Sequence, residues 1–275
     1  MDLTGSIESA EKEFKQILEE FFIAVYTEES LPSHGIDHHR RVWNYAKELL
    51  KLFSVNNSGQ IAHLVPELII ASYLHDIGMS VDPGLRHGKH SRELCIQFFR
   101  KNNYHVNEWT DVLDAIENHD NKDYISNASG NELLTILSVA DDLDAFGFTG
   151  VFRYSEIYLT RKITPEKLGY LIIENAGKRY DNFGKTIGSD SEIYKKHCKR
   201  FYILDDFFRK YNDQLHSYQF GTPNPSGYCG VIEIFLNSMN KKLKPDDMFK
   251  ESMKYSDDPI ILWFFEQLQK EILAF

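Results

Sequence analysis

The sequence predicts an all-α protein of roughly eight or more helices. Three observations carry this expectation. Apolar residues recur at helical spacing along most of the chain. The breaks between these stretches fall where Pro, Gly, Asn and Ser gather. Strand-type alternation is weak throughout, and no internal repeat or low-complexity tract interrupts the pattern.

Residues 6–29 read as the first amphipathic helix, with Phe14, Ile17, Leu18, Phe21, Phe22 and Val25 on one face. Leu31-Pro32-Ser33 ends it. A second helix follows His34 and buries Val42, Tyr45, Ala46, Leu49, Leu50 and Phe53. His38 lies on the same inward stripe, and His39 points off it towards water. Asn56-Asn57-Ser58-Gly59 reads as a loop. The apolar run Leu68–Leu74 reads as a buried helix, with Pro66 in its first turn and Gly78 just past its end.

Residues 80–90 read as a loop with Arg86, His87, Lys89 and His90. Helices are expected from about Ser91 to Lys101 and from about Asn107 to His119, with His119 facing inward. Asn121–Gly130 reads as a polar loop. In the segment after it, Leu134, Leu137, Asp141 and Ala145 share one stripe, so Asp141 stands where a leucine is expected. Two more helices are expected around Leu168–Tyr180 and Glu192–Tyr211, with a surface connection at Gly221–Gly230. The last helix starts at Asp258-Pro259, a good cap and first-turn pair, and buries Ile261, Phe265, Leu268, Ile272 and Phe275.

Composition narrows the function. The net charge of −10 argues against a broad nucleic-acid or membrane-binding face, which needs clustered Lys and Arg. It leaves room for a small phosphorylated substrate in a local basic pocket. Three scattered cysteines and no evident signal peptide point to a reducing, cytoplasmic setting.

The chemistry centres on His75-Asp76, which closes the buried run. A carboxylate there has to be paired, neutralised or bound to a cation. His38 and Asp141 are the partners that the helical pattern turns inward. Two imidazoles and two carboxylates without a thiolate suit a divalent transition metal such as Mn, Fe, Co, Ni or Zn, in a catalytic site. The alternative is a set of satisfied core histidines and capping aspartates.

These residues sit within a longer run. It comprises His34-Gly-Ile-Asp-His38-His-Arg-Arg41-Val42, His75-Asp76, Arg86-His87, Ala115-Ile116-Glu-Asn-His119 and Ala140-Asp141-Asp142-Leu143-Asp144-Ala145-Phe-Gly147, reaching on to Gly150 and Arg153. In that order they resemble the HD superfamily of metal-dependent phosphohydrolases, most of all its small stand-alone bacterial members. The resemblance covers about residues 30 to 213. The chain departs from the pattern at Val139, Asp142 and His90.

The resemblance implies an HD-domain helical bundle with additional C-terminal helices. It would form a single domain with its core over about residues 30–155 and a helical extension over about 156–275. It implies His38, His75, Asp76 and Asp141 as ligands of one metal, and hydrolysis of a phosphate ester or anhydride, of a nucleotide for choice, by hydroxide generated on that metal. His119 is a candidate for contacting substrate or protonating the leaving group, and Asp144 for orienting the attacking water. His87 and His119 are open to three readings: a second metal, a phosphate contact or plain structure. Arg41, Arg86, His87 and Lys89 are the substrate-binding candidates. His34 stands either at the rim of the site or in water at a helix start. Diiron oxygenation of a small polyol or phosphonate, and metal or nucleotide binding without turnover, are the competing functions. The expected partner is a small phosphorylated molecule rather than duplex nucleic acid or membrane, and the chain acts as a monomer or homodimer.

Overall fold

The computed structural model describes residues 2–26, 31–54, 61–121 and 132–274, and these contain helices and no strand. The loop expected at Asn56–Gly59, most of the one at Asn121–Gly130, the 27–29 end of the first helix and Phe275 lie outside the described residues. The chain divides into two compact units, Met1–Leu143 and Asp144–Phe275.

The first unit opens with α1 (Leu3–Ala10) and α2 (Gln16–Val25), joined by a π-helical turn over Glu11–Lys15. Asp2 caps α1 by accepting from the Gly5 N–H at 2.8 Å. Then come α3 (Ile36–Ser54), α4 (Val65–Leu74), α5 (His87–Lys101), α6 (Thr110–Asn118) and α7 (Glu132–Asp144). α4 is the hub, packed by α1, α2, α3, α5 and α6. It is apolar on every face, as a helix surrounded by others has to be, and Leu68 to Leu74 are fully buried.

One polar cluster fixes how α2, α3 and α4 meet. Arg40 donates to both oxygens of Glu19, at 3.0 and 2.7 Å, and the Tyr73 hydroxyl donates to the same carboxylate at 3.1 Å. Arg40 is more than a third exposed, so this pair contributes about 1 kcal/mol or less. Its larger role is to set the register between α3, which carries His38, and α4, which ends at His75.

In the second unit α8 (Gly147–Thr160) is the hub. It is packed by α9 (Pro165–Ile187), α10 (Glu192–Leu215), α11 (Gly227–Asn240) and α13 (Pro259–Leu273), while α12 (Pro245–Ser252) bridges α11 and α13. The core is aromatic. Phe264 of α13 lies 5.0 Å from Phe207, 5.6 Å from Phe148 and 5.8 Å from Phe235, ring centre to ring centre. Ile261, Phe265 and Leu268 are buried as expected, whereas Ile272 is only half-buried.

Several sequence expectations need correction. Phe53 is half-buried, not core. α8, α11 and α12 have no counterpart among the expected helices. The connection expected over Gly221–Gly230 ends at Ser226, and Gly227–Gly230 form the first turn of α11. That turn and the last helix share one cap. Asp258 Oδ1 accepts from the Ile260 and Ile261 N–H groups, each at 2.9 Å, and Oδ2 accepts from Gly227 N–H at 2.9 Å.

Asp258→Ala therefore leaves orphan donors at two helix starts. It is expected to cost about 2 kcal/mol, the upper end for a cap, and Asp258→Asn clearly less. Urea midpoints of the two variants, with unchanged slopes, measure this.

Candidate metal centre

Four side chains from three helices of the first unit converge. His38 lies in the first turns of α3, His75 and Asp76 directly follow α4, and Asp141 sits in the last turn of α7. All four are buried. His38 Nε2 lies 3.2 Å from His75 Nε2, 3.5 Å from Asp76 Oδ2 and 3.7 Å from Asp141 Oδ1. His75 Nε2 lies 3.6 Å from Asp76 Oδ2 and 3.7 Å from Asp141 Oδ1. Ligands about 2.1 Å from a tetrahedral ion stand about 3.4 Å from each other. The four donor atoms thus fit around one divalent ion.

A second group shares Asp76. Its other oxygen, Oδ1, lies 3.0 Å from His119 Nε2 and 3.4 Å from His87 Nε2, and all three residues are buried. The donor set again suits a divalent cation, with one carboxylate between the two groups.

The backbone fixes which ring nitrogen faces inward. The Nδ1 of His75 donates to the Ser72 carbonyl at 3.0 Å, that of His87 to Gly84 at 2.8 Å, and that of His119 to Ile116 at 2.7 Å. A carbonyl only accepts, so each ring keeps a proton on Nδ1, and its Nε2 faces the carboxylates, donating to them when protonated and offering a lone pair to a cation when neutral. In each case the acceptor lies three residues earlier, so the local backbone turn sets the tautomer.

The electrostatics agree. Burial pushes the Asp76 carboxyl up, but His75, His119 and His38 outweigh it and hold the group well below the usual carboxylate range. Burial lowers His75 against the pull of Asp76 and Asp141. Burial also works to lower His119, yet its hydrogen bond and charge contact with Asp76 leave it raised. A cation in these groups takes the place that protons otherwise fill.

Two glycines bring the second group together. A Cβ on Gly78 would stand 2.2 Å from the His87 carbonyl and 2.4 Å from Ser91 N. One on Gly88 would stand 2.5 Å from the Glu117 carbonyl. Gly78 is therefore not a helix-end glycine, as its position suggests. It lets the turn after Asp76 lie against the start of α5, where its N–H donates to Ser91 Oγ at 2.8 Å.

His34 is buried, with its ring 5.5 Å from that of His38, so it does not stand in water. His39 is fully buried rather than exposed. Its ring packs on Phe22 at 4.4 Å, and its Nδ1 donates to the Ser72 carbonyl at 3.2 Å, the same oxygen that holds His75. Burial, and then its neighbours His38 and His75, hold it neutral.

Arg41 is buried on α3. Arg86 and Lys89 are exposed on either side of His87, and Arg86 Nε lies 3.8 Å from Asp82. His90 lies 3.5 Å from Glu93 and is not among the donors around Asp76. Asp144 is buried, with Arg153 at 3.4 Å. Sequence reasoning missed Asp120, whose Oδ2 lies 3.8 Å from His87 Nε2. The signal was present, since His119-Asp120 repeats the His-Asp dyad of His75-Asp76.

A family model, the HD domain, matches residues 35–146 and includes every donor described above. The chain carries an HD domain. A crystal structure of a Lactobacillus plantarum protein, solved as a structural genomics target, is similar in fold. It has 16% identity and a TM-score of 0.53 over 74% of this chain and 97% of that one. At that identity the likeness is one of fold alone. No curated protein matches the sequence. HD domains bind divalent metals, and the buried His/Asp groups of this one can hold such an ion. Among the described residues no helix is long and apolar enough to cross a membrane.

Proposed function

We propose that this HD-domain protein is a metal-dependent phosphohydrolase. Its substrate is a phosphate ester or anhydride of a small molecule, with nucleotides the first class to test. The observation that carries the reading is the buried convergence of His38, His75, Asp76 and Asp141, a nitrogen and oxygen donor set with no thiolate. A divalent ion of the Mn, Fe, Co, Ni or Zn class, bound there, supplies Lewis-acid charge and an activated water.

The chain's own residues do the rest. Asp76 places one oxygen in each donor group, so His87 and His119 with Asp76 form a second ion position. The backbone-held Nδ1 protons of His75, His87 and His119 keep three Nε2 lone pairs aimed inward without rearrangement. Arg86 and Lys89, beside His87 at the N-terminus of α5, receive the phosphoryl oxygens together with the N–H groups of that helix end. Arg41, one turn along α3 from His38, is the further candidate for neutralising the phosphoryl oxygens.

A phosphate-release panel of nucleotides and other phosphorylated metabolites, with added Mn²⁺ or Co²⁺, tests the reading. Release is expected, falling at least about a hundredfold in Asp141→Ala. Metal-loaded protein that releases phosphate from no member of the panel refutes it. One observation favours a second reading, diiron oxygenation of a small polyol or phosphonate: His87 and His119 complete a second donor group. Oxygen consumption by the ferrous protein tests that reading.

A further inference from the structure

His75, His87 and His119 each donate from Nδ1 to a carbonyl three residues earlier, but not on equal terms. His87 and His119 hold their carbonyls at 2.8 and 2.7 Å. His75 holds that of Ser72 at 3.0 Å, and the same oxygen accepts from His39 Nδ1 at 3.2 Å. A carbonyl has two lone pairs and can accept both bonds. Both donors draw on one oxygen's charge, however, so each bond is weaker than it would be alone. The lengths agree, since both shared bonds are longer than the two that His87 and His119 make. An imidazole ligand gains basicity from the acceptor behind its other nitrogen. His75 therefore gains less than His87 and His119 do.

Packing does not explain a histidine at position 39. The ring lies 4.4 Å from that of Phe22, 4.9 Å from that of His38 and 5.0 Å from that of His75. It is fully buried, and among the described residues nothing bonds its Nε2. A buried ring nitrogen without a partner is unfavourable, and an apolar side chain would fill the same space without one. What a histidine adds here is the N–H that meets Ser72.

We infer that His39 is a positioning residue for the first ion: it shares the Ser72 carbonyl with His75, weakens His75 as a ligand and so loosens the hold on the ion. The inference rests on the metal reading of the proposed function, and one titration separates the two. The full chain, stripped of metal, is titrated with MnCl₂ by calorimetry and followed by electron paramagnetic resonance. It is used as wild type and with His87→Ala, which removes a donor of the second group and leaves the first to be read alone. Into the His87→Ala chain go His39→Phe and His39→Leu, which remove the N–H, and His39→Asn, which keeps one close to the place of Nδ1. The His75 Nδ1–H proton resonance is recorded on each metal-free protein.

The Phe and Leu variants are expected to bind Mn²⁺ at least about threefold more tightly than their parent, as fits a change behind a ligand histidine. Their His75 Nδ1–H resonance should move downfield, as its bond to Ser72 strengthens. His39→Asn should restore the affinity and the resonance of the parent. A ring with a structural role alone would move neither in this direction. Helical circular dichroism checks each sample, and the smaller Leu carries the test if Phe does not fit. Unchanged or weaker Mn²⁺ binding, an unmoved resonance, or an Asn variant that behaves like the Phe and Leu ones overturns the inference and leaves the metal reading standing. A wild-type protein that binds no Mn²⁺ overturns that reading, and the inference with it.

Discussion

Asp76→Ala protein, purified beside the wild type, is expected to contain less than about a tenth of the wild-type metal and, on the proposed function, to release phosphate at least about a hundredfold more slowly. No other single change should remove as much. Asp76 is the one residue with an oxygen in both donor groups, Oδ2 towards His38 and His75 and Oδ1 towards His87 and His119. Elemental analysis gives the content, and equal content in the two proteins refutes the assignment. A second readout follows from the imidazoles. Asp76 holds His119 above its ordinary value against burial. In the metal-free variant that histidine should titrate lower, visible in its ring proton resonances. Helical circular dichroism guards against an unfolded sample.

Gly78→Ala is expected to be the most destabilising small substitution in the first unit, by about 3 kcal/mol, the upper end of the overpacking range. The added Cβ meets backbone on both sides, the His87 carbonyl and Ser91 N, and backbone at the start of a packed helix does not rotate away. α5 has to retreat and carries His87 with it, away from Asp76. The second Mn²⁺ should therefore weaken while the first remains, since His38, His75 and Asp141 do not lie on α5. Chemical denaturation and the manganese titration together check both halves. Gly177→Ala on α9 is the contrast. Nothing lies within 4 Å of its Cβ position, so relief of a helix-interior glycine should stabilise by about 0.5–1 kcal/mol.

These two sites also mark where the sequence was readable and where it was not. His38, His75, Asp76 and Asp141 could be found because each interrupts or closes an apolar stripe, and periodicity says which way a residue on a stripe points. His39 could not be found in that way. α3 is enclosed on more than one side, so a position off the main stripe still meets Phe22, and an imidazole held by the Ser72 carbonyl serves as a buried ring. Gly78 reads as a helix stop because its actual reason, an approach by α5, is made by residues nine and more positions away.

α8 was missed for the opposite cause. It is buried from Gly147 through Ile157, so it has no wet face to give the sequence a period, and two glycines lie in its first turn. α11 begins at a glycine with φ +63° straight after a proline-rich stretch, and the side chain that caps it is Asp258. Nothing local announces a cap supplied from so far along the chain. Asp120 was passed over because the polar loop after it drew it into the expected surface.

The enclosure of α4 has a consequence in time. A ribosome releases the helices in order, and α6, one of the walls around α4, ends 44 residues after α4 does. At about 5–20 residues per second this leaves roughly 2–9 seconds during which α1, α2 and α3 are present and the remaining side is open. For that interval the most apolar helix of the first unit shows an uncovered face, and Asp76, which joins both donor groups, follows directly behind it. A slow codon stretch between the two helices would lengthen the exposure, and a chaperone that binds short apolar helices would find its best target there.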